Sequence, residues 1–313
     1  MREIKLRVAR RKALARLTPA LTMAGSFGWI GVGIMGEGMA ACLLKEGRSL
    51  VVWNRDASKA EALKSAYPDQ VTVCSSAKGV VEACDVTFSM LSTLEASEAV
   101  FPSLLEAVKA GKSLVDCATL TPERMVCMGD AVTAAGGAFL EAPVSGSKVP
   151  AAQGALIFLC GGDAALYEAV KPELAAMGKA DFLFGSVGAG TKMKLVVNMV
   201  MGDMMASLGE GLALCGAAGL PGDAEAGLLK VLDLGIMANG LFKLKGPKML
   251  KGDHAPNFPL KHAQKDMRFA LNLGDALGQP LPVAAAANAA FLQARETHGD
   301  ADFSAVYETQ KTG

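Results

Sequence analysis

With 313 residues and 51% apolar side chains, the chain can bury a substantial core and divide into about two domains. Its 31 basic and 31 acidic residues cancel, but residues 1–24 hold seven of the basic ones and a single acid, Glu3, leaving a mildly acidic body of 24 basic and 30 acidic residues. That balance gives no support to nucleic-acid binding; no run of 18 apolar residues marks a membrane span, and seven scattered cysteines with three dispersed histidines make neither a disulfide framework nor a metal site.

The leader comes first. MREIKLRVARRKALARLTPALTMA is Arg-rich and nearly free of acids, with Ile4, Val8, Leu14 and Leu17 at helical spacing. Residues 1–24 therefore read as a basic leader with the character of a transit peptide, although serine is lacking. A disordered extension ahead of an in-frame start at Met23 is the competing account. The expected location is an organellar matrix, mitochondrion or plastid, if the leader is a transit peptide, and otherwise the cytoplasm.

From Phe27 onward, short β-rich apolar runs alternate with helical segments, the signature of a doubly wound parallel sheet. FGWIGVG reads as a strand and Met35–Gly47 as a helix. SLVVW is the next strand, followed by a helix through Ala57–Ala66. VTV, VTFSML and SLVDCA are later strands, separated by helical stretches such as PSLLEAVKA. AFLEAPVS, ALIFLCGG and DFLFGS complete the series, the last two flanking a helix from Ala164 to Met177.

After Gly190 the alternation stops, and Ala/Leu/Met-rich stretches broken at LPGD, KGPK and HAPNFP read as helices without strands. The expected fold class is α/β: a Rossmann-type doubly wound domain over 25–187, then an all-α domain over 188–313, joined by a long interdomain helix. That helix is apolar almost all round (Met193, Leu195, Val196, Val197, Met199, Val200), so it is expected to be buried and to help cover a subunit interface.

Gly31-Val32-Gly33-Ile34-Met35-Gly36 is GxGxxG, directly after a strand and opening a helix. In that context the first glycine permits a tight turn, the second admits a pyrophosphate to the backbone, and the third lets helix and strand pack closely. The helix N-terminus then faces the anion. At the end of the second strand, where an NAD enzyme typically carries an acid for the ribose hydroxyls, the chain reads Trp53-Asn54-Arg55, with Lys59 four residues further on. A guanidinium and a nearby lysine suit a 2′-phosphate, so NADPH is the expected cofactor. Asp56 is discordant unless it points away.

In GAGTKMKLVVN, Gly188–Asn198, Lys194 and Asn198 are four apart and share a helix face, whereas Lys192 lies off that face. A lysine in apolar surroundings has its charged form disfavoured, which brings its proton affinity toward the range useful for acid catalysis. The competing account is that both lysines snorkel. Tyr167 and Lys171 spell YxxxK, a pair used by short-chain dehydrogenases, but position 154 is Gly154, where that family needs a serine. Tyr167 and Val170 are expected in the core and Lys171 at the surface.

The chain resembles the β-hydroxyacid dehydrogenases at four separated places, GVGIMG, EAPVSGSKVPAAQGAL, GAGTKMKLVVN and FPLKHAQKDMRFAL, and the resemblance covers Gly28 to about Leu292. WNRDASK and the SGSK form of the second motif are most similar to the NADPH-dependent glyoxylate/succinic semialdehyde reductases. The resemblance implies that Lys194 is the catalytic acid, assisted by Asn198, and that Ser145, Gly146 and Ser147 hold the substrate carboxylate in a glycine-containing turn, a chemistry such a turn supplies. It further implies that Thr119 lies between cofactor and substrate, and that Met90 and Leu91 line the nicotinamide side. The same resemblance implies that Phe258 walls the pocket and that Lys265 and Asp266 reach back from the helical domain to the cofactor and the active-site lysine.

The implied substrate is a small aldehyde acid, and the implied assembly a homodimer or homotetramer. Alternatives are oxidation of 3-hydroxyisobutyrate or a related 3-hydroxy acid with NAD(P), and a non-catalytic dehydrogenase-fold scaffold; relatives of the latter kind lose the lysine that this chain retains. Two departures stand out: Glu141 replaces the usual Asp before APVSG, and SMLSTLEAS lacks an Asp-Pro pair.

Overall fold

The computed structural model describes residues 27–219 and 223–311; the leader and the targeting expectation attached to it lie outside the described residues. The strands are β1 (Phe27–Ile30), β2 (Leu50–Trp53), β3 (Val71–Val73), β4 (Val86–Ser89), β5 (Ser113–Asp116), β6 (Ala138–Glu141), β7 (Val144–Ser145), β8 (Leu156–Gly162) and β9 (Gly178–Leu183). They form one sheet in the order β3-β2-β1-β4-β5-β6-β8-β7, with β9 paired to β8. The order reverses between β1 and β4, and the crevice beyond the carboxyl ends of strands at such a switch point is where open α/β sheets bind ligands.

Strand alternation sorts the core. Phe27 and Trp29 of β1 pack with Val52, Phe88 and Phe158, while Ile30 joins Val80, Phe101 and Met125 in a separate cluster. Both faces are covered, as a largely parallel sheet requires. The flanking helices begin at side-chain caps: Thr93 accepts from the Ala96 N–H, Thr121 from Arg124 and Asp163 from Leu166.

Three expectations for the segment up to β9 need correction. β1 stops at Ile30, because Gly31 takes φ +98° and leaves the extended region. The segment AFLEAPVS is two strands: Pro143 has no N–H to continue the ladder, and the chain turns so that β7 and β6 both run antiparallel to β8, making the sheet mixed. The helix expected around PSLLEAVKA runs from Leu94 to Leu105 instead, started earlier by the Thr93 cap. The helix expected over Ala164–Met177 has those bounds, with Tyr167 and Val170 buried and the Lys171 side chain exposed.

In chain order the helices are α1 (Gly36–Lys45), α2 (Ala57–Ala66), α3 (Ala77–Ala83), α4 (Leu94–Leu105), α5 (Pro122–Ala134), α6 (Lys148–Ala152), α7 (Ala164–Met177), α8 (Ala189–Ala217), α9 (Ala224–Leu234), α10 (Gly240–Lys251), α11 (Leu260–Leu277) and α12 (Pro282–His298), then a 3-10 helix, Phe303–Thr309. Among the described residues no strand follows β9. The 29-residue α8, about 44 Å long at 1.5 Å per residue, lies against β8 at its start and packs on α11, α12 and the 3-10 helix along its length. At Gly202 an added Cβ would collide with the Met267 side chain, so α8 and α11 approach there as a larger residue would forbid. Contrary to expectation α8 is not buried all round. Met193, Val196 and Val200, at helical spacing on one face, are 37%, 47% and 48% exposed, while Leu195, Met205 and Leu212 are buried.

Candidate active site

Two adjoining cavities open beyond the carboxyl ends of β1 and β4. One, about 290 Å³, is lined by Gly33–Gly36, Lys59, Met90–Ser92 and Thr119 on the sheet side, and by Phe258, His262 and Lys265 on the helical side. The other, about 260 Å³, is lined by Ser145–Ser147, Lys194, Asn198, Lys245 and Phe303 among others. Met35, Met90, Thr119, Phe258 and Asp266 border both.

The first cavity has the glycine-loop lining that a dinucleotide's pyrophosphate requires. Gly31 backs onto the Met90 carbonyl and Gly36 onto the Gly31 carbonyl, so neither tolerates a side chain; at Gly33 a Cβ would meet nothing, because that position faces open space. The N-terminus of α1 carries no side-chain cap. Backbone N–H groups therefore remain for an anion where the loop opens.

Asn54 commits its amide to the protein: Oδ1 accepts the Val32 N–H at 2.8 Å and Nδ2 donates to the Asp56 carbonyl at 2.8 Å, which pins the glycine loop to the turn after β2. Asp56 turns back to cap α2, accepting from the N–H and hydroxyl of Ser58, and these bonds hold its carboxyl below the usual range. The carboxylate that is discordant in the sequence is thus engaged at its own helix cap. Lys59 lines the cavity, while Arg55 is exposed on the same turn.

In the second cavity Lys194 is 5% exposed, and Lys192 is exposed. The Lys194 Nζ donates to Asn198 Oδ1 at 2.7 Å, and Asn198 Nδ2 donates to Asp266 Oδ2 at 2.6 Å. An ammonium only donates and a carboxylate only accepts, so the amide has one possible orientation. Burial pushes the Lys194 amine down to about 8, opposed by Asp266 and reinforced by Lys265. Lys265 lies 3.1 Å from Asp266 Oδ1, an ion pair without hydrogen-bond alignment, and donates to the Thr119 carbonyl at 2.6 Å. It thereby ties α11 to the loop after β5. Asp116 shapes that loop by accepting from Ser89 Oγ and the Ala118 N–H; burial raises its carboxyl and those bonds oppose the rise.

Glu141, at the end of β6, accepts the N–H groups of Gly188, Gly190 and Thr191 and the Thr191 hydroxyl, all at the start of α8. Its carboxyl is pushed up by burial, with the Thr191 and glycine donors pulling it back. A carboxylate at a helix N-terminus is also favoured by the helix dipole. Lys194 stands one turn beyond this clamp.

Ser145 ends β7, Gly146 takes φ +138°, and Ser147 precedes α6 without making a capping bond. These residues, Thr119, Phe258, Lys194, Asn198 and Asp266 converge on one cavity, and the glycine loop, Met90, Leu91, Lys59 and Lys265 on the adjoining one. Sequence reading missed Lys245 and His262. Lys245 lay hidden in KGPK, which reads as a Gly/Pro break. His262 lines the nucleotide-sized cavity, and burial and then Lys265 push its imidazole below the usual value. Among the described residues no group of three or more His, Cys, Asp or Glu side chains could hold a metal ion, and no helix is long and apolar enough to cross a membrane.

A nucleotide-binding glycine loop at the switch point, joined to a cavity holding a buried amine, defines an NAD(P)-dependent oxidoreductase. The profile for the NAD-binding domain of 6-phosphogluconate dehydrogenase matches residues 26–195, and that for the NAD-binding region of NADP-dependent 3-hydroxyisobutyrate dehydrogenase matches 188–309. The chain is 48% identical to glyoxylate/succinic semialdehyde reductase 1 of Arabidopsis thaliana over 91% of this chain and 98% of that one. It is 43% identical to the chloroplastic glyoxylate/succinic semialdehyde reductase 2 of the same plant, over 91% and 79%. The structure of Mycobacterium tuberculosis 3-hydroxyisobutyrate dehydrogenase with L-serine superposes with TM-score 0.83 at 25% identity, covering 93% of this chain and all of that one. The chain belongs to the 3-hydroxyisobutyrate dehydrogenase-like family of β-hydroxyacid dehydrogenases.

Proposed function

We propose that this protein reduces small carboxylated aldehydes of the glyoxylate and succinic semialdehyde class with NADPH, using Lys194 as proton donor. The observation that carries the reading is the Lys194–Asn198–Asp266 chain, buried beside the nucleotide-sized cavity. Gly31, Gly33, Ile34, Met35 and Gly36 hold the dinucleotide, and Arg55 and Lys59 receive the 2′-phosphate, with Asp56 turned away to its cap. When bound, the reduced nicotinamide supplies a hydride to the carbonyl carbon.

Ser145, Gly146 and Ser147 hold the carboxylate, and Phe258 and Met90 exclude water. Lys194 donates a proton to the carbonyl oxygen as negative charge builds there, and its positive charge stabilises that oxygen before the transfer. Asn198 fixes the direction of the amine through the single orientation of its amide. Asp266 and Lys265 hold Asn198 and the Thr119 loop in register.

The names of the two Arabidopsis relatives support the substrate class. The basic leader and the chloroplastic relative support an organellar matrix. The exposed apolar face of α8 supports a homodimer or homotetramer, which Val196→Glu would dissociate in sizing chromatography. The decisive experiment assays both aldehydes, and 3-hydroxyisobutyrate oxidation, with each nucleotide. NADPH should exceed NADH in kcat/KM by roughly tenfold or more, the scale of one charge-assisted phosphate contact. Faster 3-hydroxyisobutyrate oxidation with NAD would overturn the reading.

A further inference from the structure

The substrate-sized cavity contains a second buried amine that the proposed chemistry does not use. Lys245, on α10, is 3% exposed; its Nζ donates to Asp302 Oδ1 at 2.6 Å and stands 4.8 Å from the centre of the Phe303 ring. Asp302, fully buried, also accepts from the N–H groups of Asn257, Phe258 and Ser304, so its acceptor positions are taken and the ammonium is fixed in place. An ammonium has three hydrogens, and Asp302 is the acceptor that takes one of them. The same wall of the cavity is otherwise apolar, formed by Leu241, Leu244, Phe258 and Phe303. A fixed cation beside a greasy wall matches a ligand with methylenes followed by an anionic end.

We propose that Lys245 anchors a carboxylate lying two methylenes from the reacting carbonyl, whereas the Ser145–Gly146–Ser147 turn anchors one directly beside it. One cavity of about 260 Å³ thus takes aldehyde acids of two lengths through two carboxylate subsites. The proposal rests on the aldehyde-acid reading above. Lys245 acts as a specificity-determining residue, touching the far end of the longer substrate and leaving the transfer of hydride and proton to the other end.

The test pairs Lys245→Gln with Asp302→Asn, so that no carboxylate is left buried without its cation, and adds Lys245→Arg to restore the charge. The paired variant should raise KM for succinic semialdehyde on the order of tenfold to a hundredfold, the scale of one hydrogen bond to a charged group, with kcat little changed. KM for glyoxylate should rise far less, and Lys245→Arg should recover part of the loss. In the wild type, butanal, which has the same length but no carboxylate, should show the high KM of the variant. Equal KM increases for both aldehyde acids, or butanal bound as well as succinic semialdehyde, would overturn the proposal. Calorimetric binding of succinate to the NADP⁺-loaded protein decides the matter independently of turnover: weaker binding in the paired variant supports it, and unchanged binding sinks it. Absence of turnover with both aldehydes in the wild type would instead remove the aldehyde-acid reading.

Discussion

Two buried lysines face the same cavity and are compensated in different ways. Lys245 touches its carboxylate directly, at 2.6 Å from Asp302. Lys194 reaches Asp266 only through the amide of Asn198. At Lys194 the intervening neutral amide leaves burial as the dominant influence, and the amine falls to about 8. The contrast teaches how one fold holds two buried amines differently, the difference lying in one interposed side chain; on the proposed function it separates an anchoring cation from a proton donor.

The largest effect that could break this contrast is on turnover. Lys194→Ala should lower kcat by about 10²–10⁴-fold, the range of a lost general acid, while fluorescence titration shows NADPH binding nearly intact. Near-normal turnover would remove Lys194 from its role. Next, the stabilities of the two lysine variants should move in opposite directions. Lys245→Met leaves Asp302 buried without its cation and should cost about 3–5 kcal/mol in urea denaturation. Lys194→Met relieves a disfavoured buried charge and should stabilise the inactive protein by up to about 3 kcal/mol below pH 8. Loss of stability at position 194 comparable to that at 245 would contradict the assignment of the two roles.

The pH dependence sharpens the same point. The folded-state pKa of Lys194 lies below the ordinary lysine value, so between about pH 8 and pH 10 the unfolded chain holds a proton that the native chain has released. Stability should therefore rise with pH across that window in the wild type relative to Lys194→Met. Reductive kcat should fall as pH passes about 8, because the donor form is lost. Finally, Asp266→Asn removes the carboxylate whose charge raises the Lys194 amine and should move that alkaline limb downward. A pH–rate profile that stays in place would argue that the limb belongs to another group.

What the sequence disclosed was local. GxGxxG after a strand, the four-residue spacing of Lys194 and Asn198, and the helix over Ala164–Met177 each depend on neighbours within a few positions, and period and spacing report such neighbours. The links that orient the site join distant segments. Glu141 meets Gly188 across 47 positions, and Lys245 meets Asp302 across 57. Neither pairing has a local signature. Strand direction was hidden for the same reason: the runs at β7 and β8 look like any buried strand, and only Pro143 hints that the ladder must break before the chain turns antiparallel. Asn54 makes another such link: its amide oxygen accepts the Val32 N–H of the glycine loop, 22 positions away, and its nitrogen donates to the Asp56 carbonyl.

The grip of Glu141 on the first turn of α8 has a mechanical consequence. The sheet carries the glycine loop and α8 carries Lys194, so the carboxylate that joins the two supports, together with the packing of α8 on β8, helps set the gap between them. Shortening that tether by one methylene, as Glu141→Asp does, would slide or tilt the rod relative to the platform without altering any group in contact with substrate. The spacing between glycine loop and buried amine is thus open to adjustment by a residue that lines neither cavity.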